Sequence, residues 1–259
     1  MSRTGIEVDV DPLGRRSRVH LGSSGPDGRG HLAARILAFG DAWARVALVA
    51  EGALLLADDL IEVDVSVGPD AALDLIEPSG TVAYDMRGGS ARWRVRVHLA
   101  ERARLRWHGK PFVVAEGADV SRKVQVDLEA GATAMVRETF VLGRSGERGG
   151  SLAQHTRVNY QGHPLLVEDL VLEAHRPRTG LVGPFRVVDT VSVLGRRADD
   201  TPKAVVGDGA HRFELEGPGT LIRSLSGQAH ARSLDPTWRV VSDAWDVCFV
   251  AASVTGETT

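Results

Sequence analysis

Cysteine is nearly absent from this chain of 259 residues, which contains one, Cys248. One thiol excludes an internal disulfide framework and also the Cys-rich sites that hold zinc or iron–sulfur clusters. It lies between Val247 and Phe249, a setting that favours a buried cysteine over a nucleophile. We therefore expect a protein of a reducing compartment, the cytoplasm.

Aromatic residues are also scarce, at 5% of the chain, whereas apolar residues make up 43%. A core must therefore be built mainly from Val, Leu and Ala, and a platform of aromatic rings for binding sugars is poorly supplied. The 29 glycines are dispersed between apolar runs, which indicates many turns rather than disorder.

The chain lacks both a surplus of positive charge and a long apolar run. With 31 basic and 34 acidic residues the net charge is −3, which leaves no basic footprint for nucleic acid. The most apolar stretch, residues 42–60, contains four charged residues and cannot span a bilayer. Residues 1–18 carry charges throughout and lack the apolar centre of a secretory signal. We expect neither nucleic acid nor a membrane as a partner.

The common catalytic motifs are missing as well. The sequence has no Gly-x-Ser-x-Gly elbow and no phosphate-binding Gly-x-x-x-x-Gly-Lys loop. None of the nine histidines stands in a His-x-x-x-His pattern that would present two nitrogens to one metal. We therefore expect no enzyme, no tightly bound cofactor and no permanent metal site.

What the chain does contain is a recurring alternation of apolar residues, which is a strand signal. Three copies are strict, start about 30 residues apart, and are each followed by a turn of small and charged residues. Units of this spacing bury their apolar faces by stacking on their neighbours. The strict copies are Val63-Val65-Val67, Val95-Val97-Leu99 and Val124-Val126-Leu128.

This pattern predicts an all-β protein, a β-helix-like solenoid stack of strand-turn-strand repeats in a single domain over residues 1–259. Residues 1–30 are expected to form one strand, Ile6–Val10, and then a loop from Leu21. A hairpin is predicted around Gln161-Gly162-His163-Pro164, and a further strand over Val187–Leu194.

A helical pattern is found near the C-terminus. Thr220 suits a helix N-cap, Leu221, Ile222 and Leu225 share one side, and Pro236 follows the predicted end. We therefore predict one or two helices within residues 220–245.

Several segments, taken in order, resemble the urease accessory proteins called UreD or UreH. The most specific is Glu138–Glu147, which is similar to the family's Glu-x-x-x-Leu-Gly-Arg-x-x-x-Gly-Glu segment. The chain departs from the family's pattern at Ala57, where the family has Gly, and at residues 76–78. The other similar segments are 57–84, 110–118, 158–172, and Leu221-Ile222-Arg223 with Trp238.

The resemblance implies a non-enzymatic β-helix-like scaffold. Such proteins dock on apo-urease and on a UreF-type accessory protein, which recruits a UreG-type GTPase. The assembly delivers nickel to the urease active site, so nickel would pass through in transit. On this basis residues 220–245 are expected to face a partner, with Leu221, Ile222, Arg223 and Trp238 as contacts. The alternative is that Trp238 and Trp245 cap the solenoid core.

A conduit for nickel should offer weak oxygen ligands, because a closed His or Cys cage would hold the ion. Glu138, Glu147 and Asp169 are the candidates, since each lies in a segment that resembles the family. The alternative for Glu138 is a structural ion pair with an arginine such as Arg137 or Arg144.

Two other functions stay open at this point. The chain could be a β-sandwich or solenoid module that binds carbohydrate or peptide, or a β-solenoid polysaccharide hydrolase or lyase. A neighbouring gene for urease or a P-loop GTPase would favour the accessory protein. An operon of secreted hydrolases would favour the enzyme, which would need carboxylates on a shared groove.

Overall fold

A computed structural model describes residues 1–11, 17–25, 30–175, 179–198, 209–228, 231 and 233–250, apart from the side chains of 244 and 246–250. These residues form seventeen strands and one helix. The prediction of a mostly β protein is therefore confirmed.

Seven strands form a first sheet, which we call sheet A. In spatial order they are β14 (His163–Leu172), β13 (Ser151–Tyr160), β11 (Asp119–Leu128), β8 (Ala91–Leu99), β5 (Leu60–Val67), β1 (Ser2–Val10) and β2 (Ser17–Ser24).

Ten strands form a second sheet, sheet B. Eight of them follow one another as β16 (Ala210–Glu214), β17 (Gly219–Ser226), β15 (Val187–Leu194), β12 (Thr133–Leu142), β9 (Arg104–His108), β6 (Ala72–Ile76), β4 (Trp43–Glu51) and β3 (His31–Phe39). The two short strands β7 (Thr81–Ala83) and β10 (Phe112–Val114) pair beside the end of β12.

The three alternating triplets lie on adjacent parallel strands of sheet A, so the predicted stack is confirmed. Val65 pairs in register with Val97, which pairs with Val126 on the next strand. After each triplet a four-residue turn leads into sheet B, where β6, β9 and β12 are again parallel neighbours. One strand in each sheet per coil is the geometry of a β-solenoid.

The turns between the coils stack on one another. Asp70 donates its backbone N–H to Glu101, and Arg102 donates to Ala130. The Arg102 side chain also forms two hydrogen bonds with the Asp70 carboxylate, at 2.6 and 2.7 Å. Gly131 has a φ of 70°, which glycine adopts without steric cost. These bonds keep successive coils in register.

The predicted hairpin is confirmed as β13 and β14, which pair antiparallel. Its two turn residues, Gln161 and Gly162, have φ values of 52° and 77°. Positive φ at both positions is the two-residue turn whose twist matches that of the flanking strands.

The predicted helix from Thr220 is wrong, because Gly219–Ser226 is strand β17. This strand is buried between two antiparallel neighbours, β15 and β16. Leu221 and Ile222 point to opposite faces of sheet B, and both residues are buried. The segment therefore shows no clear alternation of apolar and polar residues. The N-terminal expectation also needs correction, since a second strand, β2, extends to Ser24.

The helix of the described region, α1, spans Asp235–Val250. Pro236 lies in its first turn, where its missing N–H and fixed φ are tolerated, rather than after a helix end. The Ser233 hydroxyl accepts a hydrogen bond from the Asp235 N–H at 3.2 Å. Helix α1 therefore begins where the sequence pattern predicted a stop.

The apolar core has two layers. The larger lies between sheets A and B and contains the inward-facing triplets. The smaller lies between the outer face of sheet B and α1, where Trp238, Val241 and Trp245 pack on Met135 and Val191. No helix in the described residues is long and apolar enough to cross a membrane.

Candidate functional site

Polar side chains interrupt the apolar layer between the two sheets. On β11, Arg122 is buried and lies on the same face of the strand as the inward-facing Val120 and Val126. Side chains at alternate positions of a strand share a face, so this arginine points between the sheets. Other inward-facing polar residues occupy the same kind of position, in phase with apolar neighbours: Glu138 on β12, Gln154 on β13, Glu168 on β14 and Arg223 on β17.

Arg122 and Glu138 meet across the interior from opposite sheets. The Arg122 Nη1 lies 2.5 Å from the Glu138 Oε1, and their side chains are 10% and 23% exposed. The same Nη1 donates to the Gln154 Oε1 at 3.0 Å. The Arg122 guanidinium also lies 5.5 Å from the ring centre of Phe140. A mostly buried charge is thus balanced by one carboxylate and one amide.

A second ion pair lies in the interior towards the β14 and β17 end. The Arg223 guanidinium donates to both oxygens of Glu168, at 2.5 and 2.8 Å, and its Nε donates to the Thr190 hydroxyl at 3.0 Å. Burial alone would lower the pKa of Arg223, but Glu168 and the charge of Glu138 raise it. The influence of Glu138 places the two pairs within electrostatic reach of each other.

Glu77 adds a third interior carboxylate, just after β6. Its oxygens accept from the Trp107 Nε1 at 2.9 Å and from the backbone N–H of Lys110 at 3.2 Å. Burial raises the pKa of the Glu77 carboxyl, and the charge of Arg122 opposes that rise. Carboxyl and guanidinium groups thus alternate between the sheets, in the order Glu77, Arg122, Glu138, Arg223 and Glu168, which we call the interior polar line.

A small cavity of about 40 Å3 borders this line, with Glu77, Arg122 and Glu138 in its walls. The volume suits two or three water molecules. Trp93 and Arg122 both contribute to the walls, and each has a buried nitrogen, Nε1 and Nε respectively, without an acceptor in the described residues. Water in this cavity could accept from the two nitrogens and donate to the carboxylate oxygens.

The three predicted nickel-path carboxylates lie in three different places. Glu138 is in the interior and forms an ion pair with an arginine, as in the structural alternative, but the partner is Arg122 and neither Arg137 nor Arg144. Glu147 is in the loop after β12, where the Arg144 side chain holds the pKa of its carboxyl at about 2. The structure does not bring Glu147 next to Glu138.

Asp169 lies on the outer face of sheet A, on β14. Hydrogen bonds from Arg157, at 2.9 and 3.0 Å, and from His155 hold the pKa of its carboxyl at about 2. Arg157 and His155 face solvent on the neighbouring strand, so this carboxylate belongs to a surface cluster.

The four predicted partner contacts are mostly covered. Ile222 is fully buried beneath α1, and Leu221 and Arg223 face the interior between the sheets. Trp238 is 7% exposed and stacks on His108, with ring centres 4.8 Å apart. Burial and the charges of Lys110 and Arg137 lower the pKa of His108 to about 4, so the ring is neutral at pH 7. In this structure Trp238 and Trp245 cover sheet B.

No group of three or more His, Cys, Asp or Glu side chains that could hold a metal ion is present in the described part of the chain. Glu77, Glu168 and Arg122 are the interior residues that the sequence reasoning missed. Two of them, Arg122 and Glu168, could have been found, because each is a charged residue at a strand position where the alternation predicts an apolar one. Glu77 follows a strand end and gives no such signal.

Comparison with known proteins gives a consistent result. A family model described as UreD urease accessory protein matches residues 31–257. A protein of Streptomyces griseus subsp. griseus named Urease accessory protein UreD 1 is 47% identical over 206 residues, which cover 77% of this chain and 78% of that protein.

More distant relatives carry the same name. Urease accessory protein UreD of Frankia alni is 35% identical over 197 residues, or 67% of this chain and 65% of that protein. The protein of this name in Streptomyces avermitilis is 28% identical over 238 residues, or 88% of this chain and 94% of that protein.

Proposed function

The chain belongs to the UreD family of urease accessory proteins, and on that premise we propose that it is a non-catalytic scaffold that helps to insert nickel into apo-urease. Its partners would be apo-urease, a UreF-type accessory protein and, through UreF, a UreG-type GTPase. Its site of action would be the cytoplasm. The family match supports the urease role, and the interior polar line supports the handling of a cation.

The observation that carries this proposal is the line of three carboxylates between the sheets. Together with Arg122, Arg223 and Gln154, they interrupt a mainly apolar layer, where an unpaired ionised carboxylate would cost more than the roughly 2–7 kcal/mol of an unpaired neutral polar group; the carboxylates are Glu77, Glu138 and Glu168. Oxygen ligands of this kind bind a divalent ion of the first transition row more weakly than nitrogen and sulfur ligands do. Weak binding suits an ion that has to leave again.

We propose that nickel in transit exchanges with the positive charges along this line. Each carboxylate of the two ion pairs already has a guanidinium neighbour, Arg122 or Arg223, so an arriving cation would compete with that arginine. Of the three carboxylates predicted from the sequence, Glu138 is the one that we place in the path. Glu77 and Glu168 join it because they lie in the same interior.

The partner surface is proposed at α1, as expected from the sequence, but with different side chains. Trp238 faces sheet B, whereas Pro236, Arg239, Val240 and Asp243 are exposed on the opposite side of the helix. A UreF-type protein would contact this exposed side.

Co-purification tests the scaffold role. The tagged full chain, co-expressed with the urease subunits and the UreF- and UreG-type proteins, should retain apo-urease and UreF, and should retain UreG when UreF is present. Retention of UreG without UreF would contradict the proposed order of contacts. Failure to retain both urease and UreF would contradict the scaffold itself.

A further inference from the structure

The outer face of sheet A, which faces away from the interior polar line, carries a concentration of basic side chains. On β8 the outward positions are Arg92, Arg94, Arg96 and His98, each between two buried inward residues. The neighbouring strand β11 presents Lys123 and Gln125 outward. This basic surface contrasts with the net charge of −3 for the chain.

The register of the strands aligns these side chains in rows across the sheet. Lys123 lies opposite Arg94 on one side and opposite His155 on the other. One row along, Gln125 lies between Arg96 and Arg157. Together these residues line a groove of about 470 Å3, which we call the basic groove.

These rows place positively charged side chains next to each other, which is unfavourable when no ligand is bound. Like charges directly opposite each other on neighbouring strands destabilise a sheet. Arg94, Arg96 and Arg157 are each paired with a carboxylate, Glu62 at 3.3 Å, Asp64 at 2.6 Å and Asp169 at 2.9 Å. Lys123 has no carboxylate within 4.0 Å among the described residues, although it stands next to Arg94. A negatively charged ligand would relieve this repulsion.

A second groove, of about 660 Å3, continues from the basic groove towards β1 and β2 and shares Arg96 and Gln125 with it. Its charge is mixed, because Glu7, Asp64 and Asp127 line it as well. Its floor contains Gly5 and Gly22, which pair with each other in the interiors of β1 and β2. Neither glycine has a positive φ, and the pairing runs without a register shift. The backbone therefore requires glycine at neither position.

Open space lies above both glycines. A Cβ atom added to Gly5 or Gly22 would meet no other heavy atom within 4 Å. Glycine weakens a strand interior, and where no bulge or bend needs it, it marks a place where another backbone approaches closely. The two glycines thus point independently to an extended chain lying across this face.

We propose that the outer face of sheet A binds an extended acidic segment of a partner protein, with its carboxylates on Arg94, Arg96 and Lys123 and its backbone over Gly5 and Gly22. The five strand spacings from β2 to β13 amount to about 24 Å, which an extended segment of about seven residues spans. Exposed ion pairs such as Arg96–Asp64 are weak, so these arginines can exchange carboxylates.

The shape and charge of the surface favour a peptide over nucleic acid or an anionic membrane. Glu62 and Asp64 on β5 and Asp169 on β14 border the basic strip on both sides. The strip is three strands wide, or about 10 Å between its outer strands. A broad polyanion would meet the carboxylates on both sides of the strip, whereas an extended segment that runs towards β1 and β2 passes only those on β5. The inference concerns the opposite face from the nickel path and does not depend on it.

The test uses the full chain and a fluorescein-labelled peptide of alternating Glu and Ser, about twelve residues long. Fluorescence anisotropy should show binding that weakens severalfold when NaCl rises from about 0.05 to about 0.3 M. Lys123→Glu should weaken binding by at least about tenfold, because it reverses the central charge. Gly5→Val should weaken it as well by filling the floor of the second groove.

Arg87→Glu is the matched control, because it makes the same charge change in an exposed turn outside both grooves. It should leave the dissociation constant unchanged within about twofold. Urea unfolding should show Lys123→Glu to be at least as stable as the unchanged chain, because it removes a like-charge contact. If it fails to fold, Lys123→Gln gives the same test with a smaller charge change.

Equal binding by the Lys123 variant and the Arg87 control would overturn the proposal, as would no binding of the acidic peptide at about 0.05 M NaCl. Equally tight binding of a single-stranded DNA of similar length, or of phosphatidylserine vesicles, would also overturn it in favour of a general polyanion surface.

Discussion

Arg122 and Glu138 form an ion pair at 2.5 Å between the two sheets, inside a layer that is built mainly from apolar side chains. Buried ion pairs add little net stability, because desolvation offsets much of their attraction. Stability therefore gives little reason for a pair at this position. The proposed passage of a cation through the interior would give one.

Because the triplets point inward, a charge at a triplet position should lower the free energy of unfolding much more than a charge at the next position on the same strand. Val65→Asp, Val97→Asp and Val126→Asp should each lower the free energy of unfolding by about 3 kcal/mol or more, because each places a charge in the apolar layer. Urea unfolding measures this. The control is Ser66→Asp, which points outward on the same strand as Val65 and should cost much less. Equal effects at Val65 and Ser66 would contradict the alternation.

Asp189 connects helix α1 to sheet B and should be a sensitive position. Its carboxylate accepts from Arg137, from the Thr139 hydroxyl and from the backbone N–H of Leu234 just before α1. Asp189→Ala should cost about 3–5 kcal/mol, because it leaves the buried Arg137 without this partner. Urea unfolding and the rate of proteolysis near residue 233 would both report the loss.

The matched control for Asp189 is Asp70→Ala, which removes a carboxylate from an ion pair on the surface with Arg102. Its effect should be much smaller, because exposed ion pairs are screened by solvent. If both variants lose the same stability, the Asp189 network does not secure the helix.

Asp74 should make stability fall at acidic pH. Burial alone would raise the pKa of its carboxyl, but hydrogen bonds and charge from Arg106 and Arg45 lower it below the ordinary value. A lowered pKa in the folded state contributes stability above the unfolded value of about 3.9, and this contribution is lost as the pH falls through the folded value. Asp74→Asn should flatten the dependence of unfolding free energy on pH below about 4. An unchanged slope would contradict the pairing.

The proposed partner surface consists of exposed residues of α1. Substitutions at exposed positions should therefore affect partner capture, and those at buried positions should affect stability. Val240→Asp should reduce capture of a UreF-type partner while unfolding stability stays within about 0.5 kcal/mol, because Val240 is exposed. Trp238→Ala should cost about 3–5 kcal/mol, because Trp238 packs on sheet B. Leu37→Asp, an exposed change on β3, is the control and should leave capture intact. Unchanged capture by the Val240 variant would remove α1 from the interface.

The repeated strands could be predicted from the sequence because alternation and turn residues are local signals. Val95-Val97-Leu99 and its copies indicated which residues face inward, where the turns lie and that the repeats stack, without any structure. The region after Thr220 could not be predicted in the same way. A strand buried on both faces has no alternation, so Leu221 and Ile222 matched a helical pattern instead.

The candidate site was predicted only in part, because its contacts join distant strands. Glu138 stood out as a carboxylate among apolar residues, but the arginines adjacent in sequence were not its partners. Which residue faces Glu138 depends on how the two sheets are aligned, and neither strand alone encodes that alignment. Arg122 could have been found as a charge in the apolar phase of its strand, whereas Glu77 could not.

Nickel loading of urease with a Glu138→Gln variant tests the central claim most directly. Glutamine keeps an oxygen that can accept from Arg122 but removes the negative charge. Because Arg122 loses its counter-charge, urea unfolding and co-purification with the partners are measured first, to show that the chain folds and that the complex forms. The nickel content and activity of urease matured with this variant should fall severalfold, while Glu129→Gln, an exposed change in a turn, should leave both unchanged. Full nickel content and activity with Glu138→Gln would contradict a path through the interior polar line.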